Sequence, residues 1–299
     1  MKNSDRNYYF GETGKRLFIR EWGSVDKRVI LLIHGFPGCA DHGKLMSETP
    51  YSDSTRLIAM DRPGYGQSDP QKKMTPMKFA QQVKALLDHL GIQEVSIISV
   101  SGGAPFSLAT AYLLKNRVRK LISVGGVGPL TPKTFKFLNN QQRKTWFLRN
   151  FLPDSVLRFT MNRIWEKGID KIDEFLFTDL DSFSPYDRKV LQDPELGPIF
   201  VETTKTALSG GPHGVLEDMR VFSKAWGFPL QEVNCPITLW HGREDDIVNY
   251  LFAEDLQKRI PQAKINFVSE QGHYSIMVNC RDAIISDLLI EKARPSSVS

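Results

Sequence analysis

Hydrophobic and polar positions alternate between two textures along this chain of 299 residues. A short unbroken apolar run at 29–33 has the length of a strand but no polar alternation, and 57–60, 95–98 and 121–124 repeat the signal, the last two with one serine each, Ser96 and Ser123. That pattern marks strands buried on both faces of a sheet. Between them the period changes. Phe79, Val83, Leu86, Leu87 and Leu90 recur at helical spacing over 77–90, and the pattern stops at Gly91. Near the start, residues 7–22 read as a hairpin: Tyr8-Tyr9-Phe10, a turn at Gly11-Glu12-Thr13-Gly14, then Leu17-Phe18-Ile19-Arg20-Glu21-Trp22. Strand alternating with helix predicts a parallel sheet covered on both sides.

After Gly125-Gly126-Val127-Gly128-Pro129 the texture shifts. Residues 130–228 are rich in Phe, Arg and Lys at helical spacing, broken by Pro153, Pro185, Pro194 and Pro198. The strand signal returns at 236–240 and 265–268, with a helical stretch at 251–259 between them. The prediction is an α/β fold with a mostly parallel, doubly wound central sheet. Its core lies in two parts, 1–129 and 229–299, and a helical insertion occupies 130–228.

Composition leaves that picture in place: 41% apolar and 24% charged residues describe an ordinary globular chain. The polar start predicts no secretory leader, and no run reaches the roughly eighteen apolar residues of a membrane span. Cys39, Cys235 and Cys280 are odd in number and lack C-x-x-C spacing, as expected of free thiols in a reducing, cytoplasmic setting. The net charge of +5 is mild. Part of it sits at Lys136, Arg143, Lys144, Arg149, Arg158 and Arg163, interleaved with Phe, Leu and Trp. The plain reading is helices with solvated outer faces; the alternative is attraction for acidic substrates or a membrane surface. No nucleic-acid-binding motif is visible.

The chemistry-bearing stretch is Ile97-Ile98-Ser99-Val100-Ser101-Gly102-Gly103. An apolar strand ends in Ser-Gly-Gly and a helical pattern follows, which is how a G-x-S-x-G elbow lifts one serine out of the backbone. Here Ser99 replaces the first glycine, and Ser101 becomes the candidate nucleophile. A serine hydroxyl needs a base, and the base needs an acid to hold it. Candidates follow the last two strands: Gly242-Arg243-Glu244-Asp245-Asp246 and Gln271-Gly272-His273. Loops at the carboxyl ends of parallel strands gather on one rim. His34 and His241 end strands beside glycine and read as backbone-bonding imidazoles. His42, His89 and His213 lie in polar or helical settings, and no pair has metal-ligand spacing.

With these three segments in order, the chain resembles the α/β-hydrolase family over nearly its whole length. The resemblance implies a Ser101, Asp245, His273 triad, with Asp245 matching the family's Gly-x-x-Asp and Asp246 and Glu244 as fallbacks. His34-Gly35-Phe36-Pro37-Gly38 is similar to the family's His-Gly-x-Pro loop. It implies an oxyanion hole built from the backbone N–H groups of Phe36 and Gly102. The stretch Asp61-Arg62-Pro63-Gly64-Tyr65-Gly66-Gln67-Ser68-Asp69 also matches a family loop and is expected to be structural, with Asp61 and Arg62 pinning it. Residues 130–228 take the place of the family's cap, where Phe135, Phe137, Trp146, Phe147, Phe159, Trp165, Phe175, Phe177 and Phe183 are expected mostly as cap core. Gly210-Gly211-Pro212-His213-Gly214, Asp218 and Trp226-Gly227-Phe228 are expected as a hinge or packing element.

The fold hosts several reactions. A serine at the elbow argues against relatives that open epoxides or remove halides with aspartate. Gly102 after the serine and Phe36 in the early loop disfavour the proline-releasing peptidases. The resulting expectation is a carboxylesterase-like hydrolase of an ester, lactone or thioester, acting on a small to medium, partly apolar molecule through an acyl-serine. Carbon–carbon bond hydrolysis, cofactor-free perhydrolysis and a ligand-sensing role are the alternatives. No metal or organic cofactor is expected. The expected partner is a small-molecule substrate, with no nucleic acid and no stable membrane insertion, for a monomer or homodimer.

Overall fold

The computed structural model describes residues 5–168 and 180–290. Eight strands form one sheet: β1 (Arg6–Phe10), β2 (Leu17–Trp22), β3 (Arg28–Ile33), β4 (Thr55–Met60), β5 (Val95–Val100), β6 (Val118–Val124), β7 (Ile237–Gly242) and β8 (Lys264–Val268). Their order is β1-β2-β4-β3-β5-β6-β7-β8. The hairpin is antiparallel, with Phe10 opposite Leu17, and β2 is antiparallel to β4. Every pairing from β4 through β8 is parallel. The order folds back at β3, so the carboxyl ends of β3, β5, β6, β7 and β8 lie along one rim.

The helices are α1 (Gly43–Ser47), α2 (Pro76–His89), α3 (Ala104–Leu114), α4 (Asn140–Phe151), α5 (Asp154–Gly168), α6 (Pro185–Leu191), α7 (Leu196–Leu208), α8 (His213–Phe222), α9 (Leu251–Arg259), α10 (Ser275–Asn279) and α11 (Arg281–Leu289). The lack of polar alternation in these strands has a cause. Side chains alternate across the sheet, and both faces are packed. Leu31, Ile33, Ile97 and Leu121 face Phe79, Val83, Phe106 and Leu108 of α2 and α3, with Leu256 of α9. Ile30, Leu32, Ile98 and Ile122 face Ile276, Ile284 and Leu288 of α10 and α11. Each such side chain, fully buried, contributes about 1.5–3 kcal/mol relative to exposure.

Helix α2 shows how local sequence sets a boundary. Thr75 accepts a hydrogen bond from the N–H of Lys78 at 3.1 Å, and Pro76 follows at the first helical position, where its missing N–H costs nothing. Among the expected breaks in 130–228, Pro153 does separate α4 from α5. Pro198 does not break a helix: it sits in the first turn of α7, where no intrahelical donor is needed. The three cysteines are free, with Cys39 and Cys235 buried. No helix among the described residues is long and apolar enough to cross a membrane.

Candidate active site

Between β5 and α3, Ser101–Gly103 form a single 3-10 turn. Ser101 has φ 50°, a left-handed conformation that a non-glycine residue holds only when its surroundings enforce it. One constraint is visible in the backbone, where the carbonyl of Ser101 accepts from the N–H of Val127 at 3.2 Å. Ser99, standing where the elbow pattern asks for glycine, is fully buried. Its hydroxyl is bonded to that of Ser107 at 2.7 Å, and Ser107 Oγ also lies 3.0 Å from the carbonyl of Ala104. A serine is therefore accommodated without an orphaned buried hydroxyl.

The loop after β3 is set by its histidine. His34 Nδ1–H donates to the carbonyl of Gly35 at 2.9 Å, and its Nε2 accepts from the N–H of Arg62 at 2.9 Å. Both partners are backbone, as expected for this residue. Burial, aided by the charge of Arg62, holds its pKa well below the ordinary imidazole value. Arg62 reaches further than expected of a loop pin. Its guanidinium donates to the Gly35 carbonyl at 2.8 Å and to Asp218 Oδ1 at 2.6 Å, while Tyr65 O–H donates to Asp218 Oδ2 at 2.8 Å. Asp61 accepts from the N–H groups of Ala40 and Gln67. The loop that carries Phe36 is thus tied to α8 through one buried arginine. A Cβ placed on Gly102 would lie 2.7 Å from Phe36 Cβ and 3.3 Å from Phe36 N. Phe36 and Gly102 are accordingly side by side, next to Ser101.

After β7, Asp245 Oδ1 accepts from the N–H of Ile247 at 2.9 Å and of Val248 at 2.7 Å. Its Oδ2 faces two imidazoles. His273 Nδ1 is at 2.8 Å and His241 Nε2 at 3.3 Å. Of the three adjacent acids, Asp245 is the one that meets His273. Burial alone would raise its pKa, but the charge of His273 and the hydrogen bonds of His241 and His273 more than reverse this and hold it well below the usual carboxylate range. Burial alone would lower the pKa of His273; the Asp245 carboxylate and its hydrogen bond outweigh that and raise it. His241, read from sequence as backbone-bonded, does bond the Val248 carbonyl at 2.8 Å. Its second contact, to Asp245, has a sequence signal in the i, i+4 spacing across the β7 turn.

Ser101 Oγ makes no hydrogen bond to His273 among the described residues. Apo geometry at such sites is often looser than in complexes. What links them is the short segment after β6. A Cβ on Gly125 (φ 55°) would sit 3.2 Å from His273 Nδ1 and 3.3 Å from Asp245 Oδ2, and two residues later Val127 bonds Ser101. A side chain there would crowd the imidazole–carboxylate pair by a few tenths of an ångström on a left-handed backbone that favours glycine.

One residue of the helical segment escaped sequence reasoning altogether. Asp187, fully buried in α6, accepts from the N–H groups of His273 at 2.7 Å, Tyr274 at 2.9 Å and Ser275 at 2.8 Å. A carboxylate 86 residues upstream thus fixes the backbone that carries the imidazole. Nothing in the local pattern Ser184-Pro185-Tyr186-Asp187 announces more than a helix start.

Ser101, Gly102 and Phe36 line a cavity of about 280 Å³. His273 and Asp245 are not among its lining residues. Its remaining wall comes largely from the helical segment, including Gln142, Trp146 and Arg149 of α4 and Met219 and Phe222 of α8. Gln142 secures that wall. Its side chain caps α4 by accepting from Asn139 N–H at 3.0 Å and donates to the Ile247 carbonyl at 2.6 Å, beside Asp245. The expectation that the aromatics form an inner core needs correction. Phe147 and Phe159 are 51% and 64% exposed, because α4 and α5 turn these positions away from the cavity. Trp165 instead donates to the Leu208 carbonyl, Phe183 packs on Tyr274, and Phe137 on Phe252. Phe175 and Phe177 lie outside the described residues. Asp218 and the buried Trp226, stacked on Phe228, do serve as packing elements. Among the described residues, no group of three or more His, Cys, Asp or Glu is placed to hold a metal ion.

Comparison with known proteins places this geometry in context. The profile described as the alpha/beta hydrolase fold matches residues 28–279. The chain is 22% identical over 246 residues to the bifunctional esterase/perhydrolase of Acinetobacter calcoaceticus, covering 81% of this chain and 83% of that one. It is 26% identical over 277 residues to a 2-hydroxy-6-oxononadienedioate/2-hydroxy-6-oxononatrienedioate hydrolase of Pseudomonas putida, covering 89% and 87%. The structure of a bromoperoxidase from Bacillus anthracis superposes with a TM-score of 0.68 at 19% identity, covering 96% and 99%.

Proposed function

This chain belongs to the alpha/beta hydrolase fold family, and from that premise we propose that it is a serine hydrolase of a carboxylic ester, lactone or thioester. The observation that carries the reading is a buried imidazole–carboxylate pair at 2.8 Å, joined by a three-residue turn to a serine at φ 50° that opens into a cavity. In this reading Ser101 attacks the substrate carbonyl as His273 Nε2 takes its proton. Asp245 holds the Nδ1–H tautomer and stabilises the imidazolium. Its depressed pKa keeps it ionised throughout the neutral range. The N–H groups of Phe36 and Gly102 receive the developing oxyanion; one such donor is worth about 3–4 kcal/mol of transition-state stabilisation. His273 returns the proton to the leaving group, and water repeats the sequence to free the acid.

Residues 130–228 act as a cap in this reading. Their contribution to the cavity wall limits the acyl portion to a small or medium group, and the apolar character of Phe36, Trp146, Met219 and Phe222 favours a partly apolar one. The test is turnover of a p-nitrophenyl ester by the native protein and by Ser101→Ala. Burst kinetics with loss of turnover in the folded variant support the reading, whereas equal turnover removes Ser101 from the chemistry.

A second reading, perhydrolysis, is favoured by similarity over 81% of the chain to a protein that carries both activities. Hydrogen peroxide would replace water on the same acyl-serine and leave as the peracid. Adding peroxide to the ester assay and trapping peracid separates the two.

A further inference from the structure

A larger concavity of about 650 Å³ adjoins the serine cavity, and Arg149 and Ser223 line both. Its wall is assembled from three separate segments. Lys73 and Lys78 come from the loop and first turn at α2, Arg149 and Asp154 from the junction of α4 and α5, and Arg220 and Lys224 from the end of α8. Five cations therefore converge on the concavity, with Asp154 the one carboxylate on the wall and Glu217 a second behind Arg220. Asp154 is the weaker counterweight, since its side chain is 67% exposed where it meets Arg149 at 2.9 Å. Arg220 is occupied by Glu217 at 2.7 Å and by the carbonyl of Met74. The ammonium of Lys78 donates to the Lys73 carbonyl at 3.1 Å, not to an acid. Among the described residues Lys73, Lys78 and Lys224 meet no carboxylate. A concave, unbalanced positive surface concentrates field and selects polyanions.

We propose that this basin holds the phosphate-bearing part of the substrate, while its acyl part occupies the cavity at Ser101. The inference rests on the hydrolase reading above and adds the substrate class: an acyl ester or thioester whose leaving group carries phosphate. A lone carboxylate would be satisfied by one bidentate arginine; three lysines that meet no carboxylate, from two segments and beside two paired arginines, match a group with several charges. The serine cavity runs along α4 from Gln141 to Arg149, about 12 Å at helical rise, and Arg149 also lines the basin. The basic stretch at 133–167, whose alternative reading was attraction for acidic substrates, supplies only Arg149 of these cations; the rest come from segments distant in sequence.

Two probes with the same acetyl thioester test this. S-acetyl-N-acetylcysteamine has nothing to place in the basin; acetyl-coenzyme A carries phosphates on a long arm. The native protein is expected to show a kcat/KM roughly tenfold or more higher for the phosphorylated probe, shrinking as salt rises from about 50 mM to about 500 mM. In Lys73→Glu/Lys224→Glu the preference falls to about twofold or less, with the cysteamine thioester as internal reference. Equal preference in the native protein, or a preference that survives charge reversal, overturns the proposal while leaving the hydrolase reading intact. If neither thioester is turned over, the hydrolase reading fails for thioesters and the basin is judged by binding. Calorimetric binding of coenzyme A to the native protein, lost in the double variant, supports the basin; no binding overturns it. Free inorganic pyrophosphate separates a substrate handle from an independent anion site. Competition against acetyl-coenzyme A alone supports the handle, and equal inhibition of both thioesters contradicts it.

Discussion

The helical segment between β6 and β7 contains two halves that relate to the sheet in opposite ways. The half from 185 to 222 is bonded into the frame of the site. Asp187 holds three consecutive backbone N–H groups around His273, Asp218 receives Arg62 and Tyr65, and the N–H of Gly66 and the carbonyl of Gly64 pair with Ala207 and Gly214. Among the described residues, the half from 140 to 168 meets the frame at Gln142 to Ile247, and meets the other half at Arg158 to Glu217 and Trp165 to Leu208. It leaves Phe147, Leu148, Phe151, Val156, Phe159 and Ile164 exposed. The lesson is that an insertion need not be one functional unit. One half is fixed because the geometry of the histidine and of the Phe36 loop depends on it; the other supplies, through α4, a share of the cavity wall.

That contrast predicts effects of very different size. Ser101→Ala, which belongs to neither half, should cut ester turnover by about 10⁴-fold or more with the fold retained, read by steady-state kinetics and circular dichroism. Asp187→Ala should follow. Three buried donors lose a charged acceptor, so denaturant unfolding should show a loss of about 3 kcal/mol or more. Asp187→Asn, which keeps one acceptor oxygen, should recover part of it. A wild-type unfolding midpoint in Asp187→Ala would break the contrast at its strongest point.

For Asp245→Asn the signature is pH. His273 must be neutral to accept the serine proton, so kcat/KM falls as pH drops through its raised pKa. Removing the carboxylate charge withdraws the cause of the elevation. The acid limb should therefore move to lower pH, while the rate drops by up to about 10⁴-fold because the tautomer is no longer held. An unmoved acid limb would detach His273 from the profile. Changes in the outer half should be smaller and should appear in KM: Trp146→Ala alters the cavity wall and is expected to shift KM for esters of differing acyl length more than kcat. Phe147→Ser and Phe159→Ser, on the exposed face, should change stability by about 0.5 kcal/mol or less. A large destabilisation there would show that this half is also packed into the frame.

The fold was legible because its signals are local. The apolar runs at 29–33 and 95–98 have strand length and lack polar alternation, and the helical spacing over 77–90 that stops at Gly91 matches α2 (Pro76–His89) within one residue. The elbow at Ser99-Val100-Ser101-Gly102 and the segments holding Asp245 and His273 could be found because each sits directly after a strand end. Pairing through space was less legible. Asp187 reaches His273 over 86 residues, and Arg62 reaches Asp218 over 156; no spacing rule encodes such contacts. The burial of the aromatics was misjudged for a related reason. A helical run of Phe and Arg looks the same whether it faces a core or solvent, and only the neighbour decides at Phe147 and Phe159.

The central claim is that the Ser101 hydroxyl is activated by His273. The most direct measurement is fluorophosphonate labelling of the native protein, followed by peptide mapping by mass spectrometry. The account predicts one stoichiometric adduct on Ser101, abolished in Ser101→Ala and slowed by about 10³-fold or more in His273→Ala. An unlabelled native protein, an adduct on another serine, or labelling indifferent to His273 would contradict it.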